Sequence, residues 1–171
     1  MWKCGEKCGI LLAPVFKGTY HYRLDGKGRL PVPPPFRRSL AAAGARALVV
    51  TLLDECLAAY PPAEWERLEA QLVALPAFSR PVKGLTRLLA SRAADCALDG
   101  QGRILLPPAL RKVAALGREA TVVGVLNRFE VWAPERWAAF LEGSERLLED
   151  VGLGVEWPPA GGPRPQGKPS P

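Results

Sequence analysis

The chain has a single histidine, His21. General acid–base and nucleophilic mechanisms usually set an imidazole beside a carboxylate or a nucleophile. His21 stands in a strand-like stretch with no such constellation next to it. A phosphate loop, a dinucleotide fingerprint and an H-E-x-x-H helix are all missing. The G-x-G at 26–28 and at 100–102 is not followed by a helix start, so each reads as a turn between two strands. These absences argue against an enzyme and imply no cofactor.

Cysteine is sparse as well. Cys56 and Cys96 stand alone in apolar stretches, where cysteine behaves as a small buried residue. Cys4 and Cys8 have a C-x3-C spacing, but without a second pair and with one histidine downstream the ligands of a zinc site are not there. Neither a disulfide framework nor a metal site is expected. No stretch approaches the roughly 18 apolar residues of a membrane span, and residues 1–8 lack the apolar core of a secretory signal. A cytoplasmic protein with no membrane partner is the expectation.

What the chain does have is one phrase stated twice. It reads Leu24-Asp25-Gly26-Lys27-Gly28-Arg29-Leu30 with Pro33-Pro34 and Phe36-Arg37-Arg38. It returns as Leu98-Asp99-Gly100-Gln101-Gly102-Arg103-Ile104 with Pro107-Pro108 and Leu110-Arg111-Lys112. The offset is 74 residues, and seven of the fifteen pairs from position 25 to 39 are identical. Further on the offset becomes 72, pairing Tyr60 with Trp132, Pro62 with Pro134 and Trp65 with Trp137. The change falls in a loop, where deletions are tolerated. This is an internal duplication. A unit of about 50 residues is marginal alone, so the halves are expected to share a core, within the chain or across subunits.

Each copy reads as strand, turn, strand, Pro-Pro, short helix, strand pair, helix. In the first copy the strands are 19–24 and 29–32, the helix runs from about 36 to 42, and strand 47–53 has its hairpin partner at 57–60 across Asp54-Glu55. The glycines of the turn supply the positive φ that tight hairpins need, and Asp25 bonds nearby N–H groups. A helix opens at Pro61-Pro62 and runs to about Leu75, with Trp65, Leu68, Leu72 and Leu75 on its apolar face and Glu64, Glu66 and Glu69 outside or near the helix start. Residues 76–81 form a connector, and Leu85, Leu88 and Leu89 mark a bridging helix. The second copy gives strands 94–98 and 103–106, helix 108–115, strands 120–126 and 129–132. A final helix opens at Pro134, with Trp137, Phe140, Leu141, Leu147 and Leu148 inward. The expected divisions are an N-terminal extension at 1–14, a first domain at 17–66, connecting helices at 67–92, a second domain at 93–136, a C-terminal helix at 137–156 and a Pro/Gly-rich disordered tail at 157–171. Val15 is a candidate for the natural start, because the repeated pattern begins at Phe16.

Net charge is +6, and it gathers on the repeated phrase. Residues 17–38 hold six basic groups against Asp25, and residues 99–118 hold four against Asp99. That is the footprint of a phosphate-tracking face; a solvated basic surface is the plainer alternative. Arg29 and Arg103 follow the turns at once, placed to project from a β-ribbon toward phosphate or a guanine edge. Alternatively each pairs with Asp25 or Asp99 and fixes its turn. Lys27 adds a point charge on the first turn. Gln101 takes its place on the second, either to read adenine or to bond the backbone. Arg37, Arg38, Arg111 and Lys112 lie on the short helices, spaced to contact phosphates or to solubilise a face. Asp25, Gly26, Gly28, Asp99, Gly100 and Gly102 are turn-formers. The first copy is the more basic and is expected to dominate binding.

The two Asp-x-x-Gly-Arg phrases, together with Tyr60-Pro61-Pro62-Ala63-Glu64-Trp65-Glu66 and Trp132-Ala133-Pro134-Glu135-Arg136-Trp137, resemble the MraZ family across residues 15–145. These are bacterial transcriptional regulators with two tandem SpoVT/AbrB-like domains. The resemblance implies an α+β fold, a tandem swapped-hairpin double-split β-barrel with flanking helices. It also implies a ring-like homo-oligomer, nucleoid-associated, that binds short direct repeats in double-stranded DNA upstream of the division and cell-wall gene cluster. The family's DNA-contacting arginine carries onto Arg29 and, through the repeat, Arg103; its neighbouring basic position carries onto Lys27. Pro31 stands where the family has a small polar residue, and Pro34-Pro35 where it has Ala-Lys, so one basic contact is gone and the exit of the first hairpin is stiffened. Residues 1–14 have no counterpart. The other class of function is a protein-interaction module, such as the antitoxin-like relatives that share the AbrB-type fold.

Overall fold

The computed structural model describes residues 14–76 and 79–144. Among them the chain forms antiparallel strands and five helices, an α+β fold. The first copy contributes β1 (Thr19–Arg23), β2 (Arg29–Pro31), α1 (Pro34–Ala42), β3 (Ala47–Leu53), β4 (Cys56–Tyr60) and α2 (Pro62–Ala74). Helix α3 (Arg80–Ser91) leads to the second copy: β5 (Ala94–Ala97), β6 (Arg103–Leu105), α4 (Pro108–Val113), β7 (Glu119–Val125), β8 (Arg128–Trp132) and α5 (Pro134–Ser144). The chain divides after Ala138 into two compact units. The first holds every strand. Of the second, the described residues 139–144 close α5, where Ser144 Oγ donates to the Phe140 carbonyl at 2.7 Å. The extension at 1–13, the cysteines at 4 and 8, Leu147, Leu148 and the tail lie outside the described residues.

The copies interleave strand by strand. A six-stranded sheet runs β1-β7-β8-β4-β3-β5, and β2 pairs with β6 in a separate ribbon. Tyr22 of β1 faces Ala120 of β7, and Cys96 of β5 faces Leu48 of β3. These are one pairing seen twice: Cys96 is the equivalent of Tyr22, and Ala120 of Leu48. Two further pairings join equivalent residues directly. Ala58 of β4 faces Glu130 of β8, and Leu30 of β2 faces Ile104 of β6. A pseudo-twofold relation therefore passes through both pairs, and neither copy completes its sheet without the other.

Alternation decides which side chains enter the shared core. Leu48, Val50, Leu52, Leu57, Ala59, Val122, Phe129 and Val131 point to one face and pack with Leu30, Val32, Phe36, Leu40, Ile104, Leu106 and Leu110. Phe16, Phe36 and Phe129 meet at its centre with ring centroids 5.1 to 5.5 Å apart. Each such side chain contributes about 1.5–3 kcal/mol on burial. On the opposite face Val49, Ala58 and Tyr60 are covered by Trp65 and Leu89, while Cys56, Val123 and Trp132 cluster, with Trp137 packed alongside. Glu130, 9% exposed, accepts hydrogen bonds from Arg128 Nε and Nη2 at 3.3 and 3.0 Å and from Trp132 Nε1 at 3.1 Å. Its charge is thus both paired and hydrogen-bonded, as a buried carboxylate requires.

Several local expectations shift. The strands flanking residues 25–28 do not pair with each other; β1 and β2 lie in different sheets, because each finds its partner in the other copy. Hydrophobic alternation marks a strand but not its partner. Residues 76–81 are not all connector: α3 starts at Arg80 with Pro81 in its first turn, where a missing N–H costs nothing. Leu89 is the buried residue of α3, whereas Leu85 and Leu88 are exposed, and Leu75 falls just beyond α2 and is exposed too. Glu64 is buried rather than outside, paired with Arg67 and accepting a hydrogen bond from Asn127 Nδ2 at 3.2 Å. Helix α5 has no buried residue; Trp137 instead stacks on Trp132, centroids 5.5 Å apart.

Candidate nucleic-acid interface

Each Asp-x-x-Gly-Arg phrase folds into the same closed turn. Asp25 N–H donates to the Arg29 carbonyl at 3.0 Å and Gly28 N–H to the Asp25 carbonyl at 2.9 Å. Asp25 Oδ1 accepts the Lys27 and Arg29 N–H groups at 2.9 and 3.0 Å, and Oδ2 accepts Arg29 Nε at 2.6 Å. In the second copy Asp99 repeats every bond: Oδ1 takes Gln101 and Arg103 N–H, each at 2.9 Å, and Oδ2 takes Arg103 Nε at 2.9 Å. The aspartates are turn-formers in this physical sense. Each holds two backbone donors and aims one guanidinium. The ion pair of each turn is formed, so it coexists with whatever else the arginines do.

The Arg29 N–H is the main reason the Asp25 carboxyl is lowered to about 2; partial burial opposes it, and the Arg29 guanidinium and the Lys27 N–H add to it. Asp99 is lowered in the same way, first by the Arg103 N–H and then by the Arg103 guanidinium.

Only one glycine in each turn needs to be glycine. Gly28 and Gly102 have φ of 84° and 73°, whereas Gly26 and Gly100 do not adopt a positive φ. A Cβ on Gly28 would also lie 2.6 Å from Cζ of Arg111. Gly102 is covered in the same manner by the Arg37 side chain. So the short helix of each copy lays an arginine on the turn of the other.

The backbone makes the same exchange. Val32 N–H donates to the Gly102 carbonyl at 3.0 Å, and Leu106 N–H to the Gly28 carbonyl at 3.1 Å. Arg111 is pinned further by Nε, which donates to the Leu106 carbonyl at 3.1 Å. Finally, Arg103 Nη1 lies 3.8 Å from Asp25 Oδ2, an ionic contact between the two turns. The structure thus brings both turns, with Arg29, Arg103, Arg37 and Arg111, into one composite head. Lys27 and Gln101 are exposed on it, each with its own N–H tied to the turn aspartate. Arg38 and Lys112 are exposed on α1 and α4.

Sequence reasoning missed the crossing of Arg37 and Arg111 to the opposite turn. A signal was present: Gly28/Gly102 and Arg37/Arg111 are among the identical pairs of the repeat, and these are the residues that touch. Two-residue contacts across copies had to be kept together. Also missed was the Arg23–Glu119 ion pair at 2.9 Å, which ties β1 to β7 beside the head.

Frame and head together define a class: a duplicated, interleaved α+β chain that presents one paired basic turn. Comparison with known sequences narrows it. Residues 15–88 and 89–150 each match the profile of the family described as MraZ protein, a description that adds the words antitoxin-like. The transcriptional regulator MraZ of Halothermothrix orenii is 37% identical over 142 residues, 83% of this chain and 97% of that protein. The transcriptional regulator MraZ of Ligilactobacillus salivarius is 41% identical over 137 residues, 80% of this chain and 94% of that one. That of Methylococcus capsulatus is 43% identical over 148 residues, covering 81% and 97%. The chain belongs to the MraZ family, a family of transcriptional regulators and not of enzymes. No helix among the described residues is long and apolar enough to cross a membrane.

Proposed function

We propose that the chain is a sequence-specific DNA-binding transcriptional regulator. It acts in the cytoplasm at the nucleoid, as a ring-like homo-oligomer, on short direct repeats upstream of the division and cell-wall gene cluster. The curated relatives are named transcriptional regulators, and such a protein works on double-stranded DNA. The strand exchange between copies supports reading the frame as a swapped-hairpin double-split barrel, with residues 17–66 and 93–136 as its two intertwined domains.

The observation that carries the proposal is the joining of the two turns by the 3.8 Å contact of Arg103 with Asp25. A single turn offers DNA one arginine and binds weakly. A rigid head with Lys27, Arg29, Arg37, Arg38, Arg103, Arg111 and Lys112 around it offers a positive surface of fixed spacing, with Gln101 able to bond a base edge. Several heads on one assembly multiply weak contacts through effective concentration, provided the DNA repeats match their spacing. One arginine–guanine contact is worth about 1–3 kcal/mol, so removing it from every protomer has a compounded effect.

The test is a gel-shift titration with the DNA upstream of the protein's own gene. Arg29→Ala is expected to abolish specific binding at concentrations where the wild type saturates, with sedimentation unchanged. Wild-type affinity in that variant overturns the proposal. So does a protein that co-purifies with a tight heterologous partner and has no affinity for DNA, which is the antitoxin-like outcome.

A further inference from the structure

We infer that the two equivalent arginines have separate jobs: Arg29 meets DNA, whereas Arg103 is a positioning residue that steadies the first copy's turn through Asp25. The inference rests on the reading of the chain as a DNA-binding regulator.

The turns are alike in their backbone bonds and differ in their guanidinium groups. Arg29 engages Asp25 through Nε alone, and its two Nη groups have no hydrogen-bond or ion-pair partner among the described residues. Arg103 is committed on three sides. Nε and Nη2 both lie on Asp99 Oδ2, at 2.9 and 2.8 Å, and Nη1 faces Asp25 Oδ2 at 3.8 Å. Bidentate reading of a guanine edge, or of a phosphate, needs two N–H groups pointing the same way from one fork. Arg29 has them available without breaking anything. Arg103 would have to release one aspartate or both.

Exposure follows the same order, with 34% of the Arg29 side chain accessible and 23% of that of Arg103. The neighbours agree as well: Lys27 flanks the first arginine and uncharged Gln101 the second. Asp25 Oδ2 is therefore shared by two guanidinium groups. The contact from Arg103 takes up part of its charge, which leaves Arg29 less neutralised and holds the carboxylate that aims it. The duplication has kept the residue and changed its use.

Four proteins decide the matter, titrated with upstream DNA at a salt concentration low enough for all of them to bind: wild type, Arg103→Lys, Asp25→Asn and the double variant. Lysine keeps the charge, so the fold is not challenged, but it lacks the fork that reaches both aspartates. Arg103→Lys is expected to weaken binding about tenfold, the size of a lost charge-assisted contact, without changing the slope of log affinity against log salt. In the Asp25→Asn background the same change is expected to have little further effect, because the group it acts through is already gone. Two results overturn the inference. One is wild-type binding by Arg103→Lys, as a phosphate contact would give. The other is an equal loss in both backgrounds, as a direct base contact would give. Arg103→Ala adds a check, since a lost phosphate contact lowers the salt slope by about 0.9 per contact and a lost positioning contact does not. Failure of the DNA-binding reading shows separately, as undiminished binding by Arg29→Ala.

Discussion

Leu30 and Ile104 lie opposite each other at the centre of the β2–β6 ribbon, each fully buried and each the other's equivalent in the duplication. Because both turns emerge from this ribbon, the pair couples the stability of the fold to the geometry of the head. Truncating either to alanine is expected to cost about 2–5 kcal/mol, the range for deleting a large buried aliphatic side chain. Urea unfolding reads the cost directly, and an unshifted midpoint for Leu30→Ala would contradict the placement.

Glycine substitutions separate the two positions within one turn. At Gly28 an added methyl group meets both a φ of 84° and the Arg111 guanidinium. Left-handed strain alone costs about 1–3 kcal/mol, so Gly28→Ala is expected to lower thermal stability and DNA affinity together. Gly26 has nothing within 4 Å of the position a Cβ would take. Gly26→Ala is expected to stay within about 0.5 kcal/mol of wild type, as open surface changes do. Parallel melting of the two variants shows whether the demand for glycine is confined to one place.

Acid should loosen the head through Asp25. Its carboxyl titrates near pH 2 in the folded chain and at 3.8 when unconstrained. The folded state therefore binds the proton less readily, and the stability this confers is complete above pH 3.8 and lost as pH falls through 2. Asp99 acts in the same direction. Denaturant titrations over that window are expected to show a steeper acid loss for the wild type than for Asp25→Asn.

Alkali should act through the buried thiols. Burial is the main cause that pushes Cys56 up, with the Glu130 and Asp54 carboxylates adding to it, and burial raises Cys96 to about 11. An unfolded thiol releases its proton near pH 9.0, so stability is unaffected below that value and falls as pH rises beyond it. Replacing both cysteines with alanine is expected to flatten the alkaline limb of a stability–pH curve. A limb that stays as steep assigns the loss to other groups.

Much of the interface was legible before the fold was known. The twice-stated phrase located both turns, and the aspartate bonds that close them follow from side-chain chemistry at short range. The β3–β4 hairpin was equally readable, since Asp54-Glu55 separates two apolar runs, and Leu53 does pair with Cys56 across it. What alternation could not disclose was partnership. Tyr22 and Ala120 are nearly a hundred positions apart, and nothing in a period of two says which edge a strand will join. Arg37 and Arg111 looked like free basic residues for the same reason: their partners, Gly102 and Gly28, are neighbours only after the exchange. Glu64 was misplaced because an acidic residue in a first helical turn usually faces water, whereas here Arg67 and Asn127 allow its burial.

The pairing of Ala58 with Glu130 on the pseudo-twofold has a meaning for descent. Two identical halves assembled as separate chains must present the same residue on both sides of their axis. A glutamate there would confront its own copy inside the sheet, where directly opposed like charges are unfavourable. Joined in one polypeptide, the midline no longer has to be self-complementary, and alanine on one side makes room for a carboxylate on the other. Fusion thus releases the halves from a shared fate. One may keep contact with the outside world while the other turns inward to brace it, and the second half, expressed alone, would be unable to substitute for the first by pairing with itself.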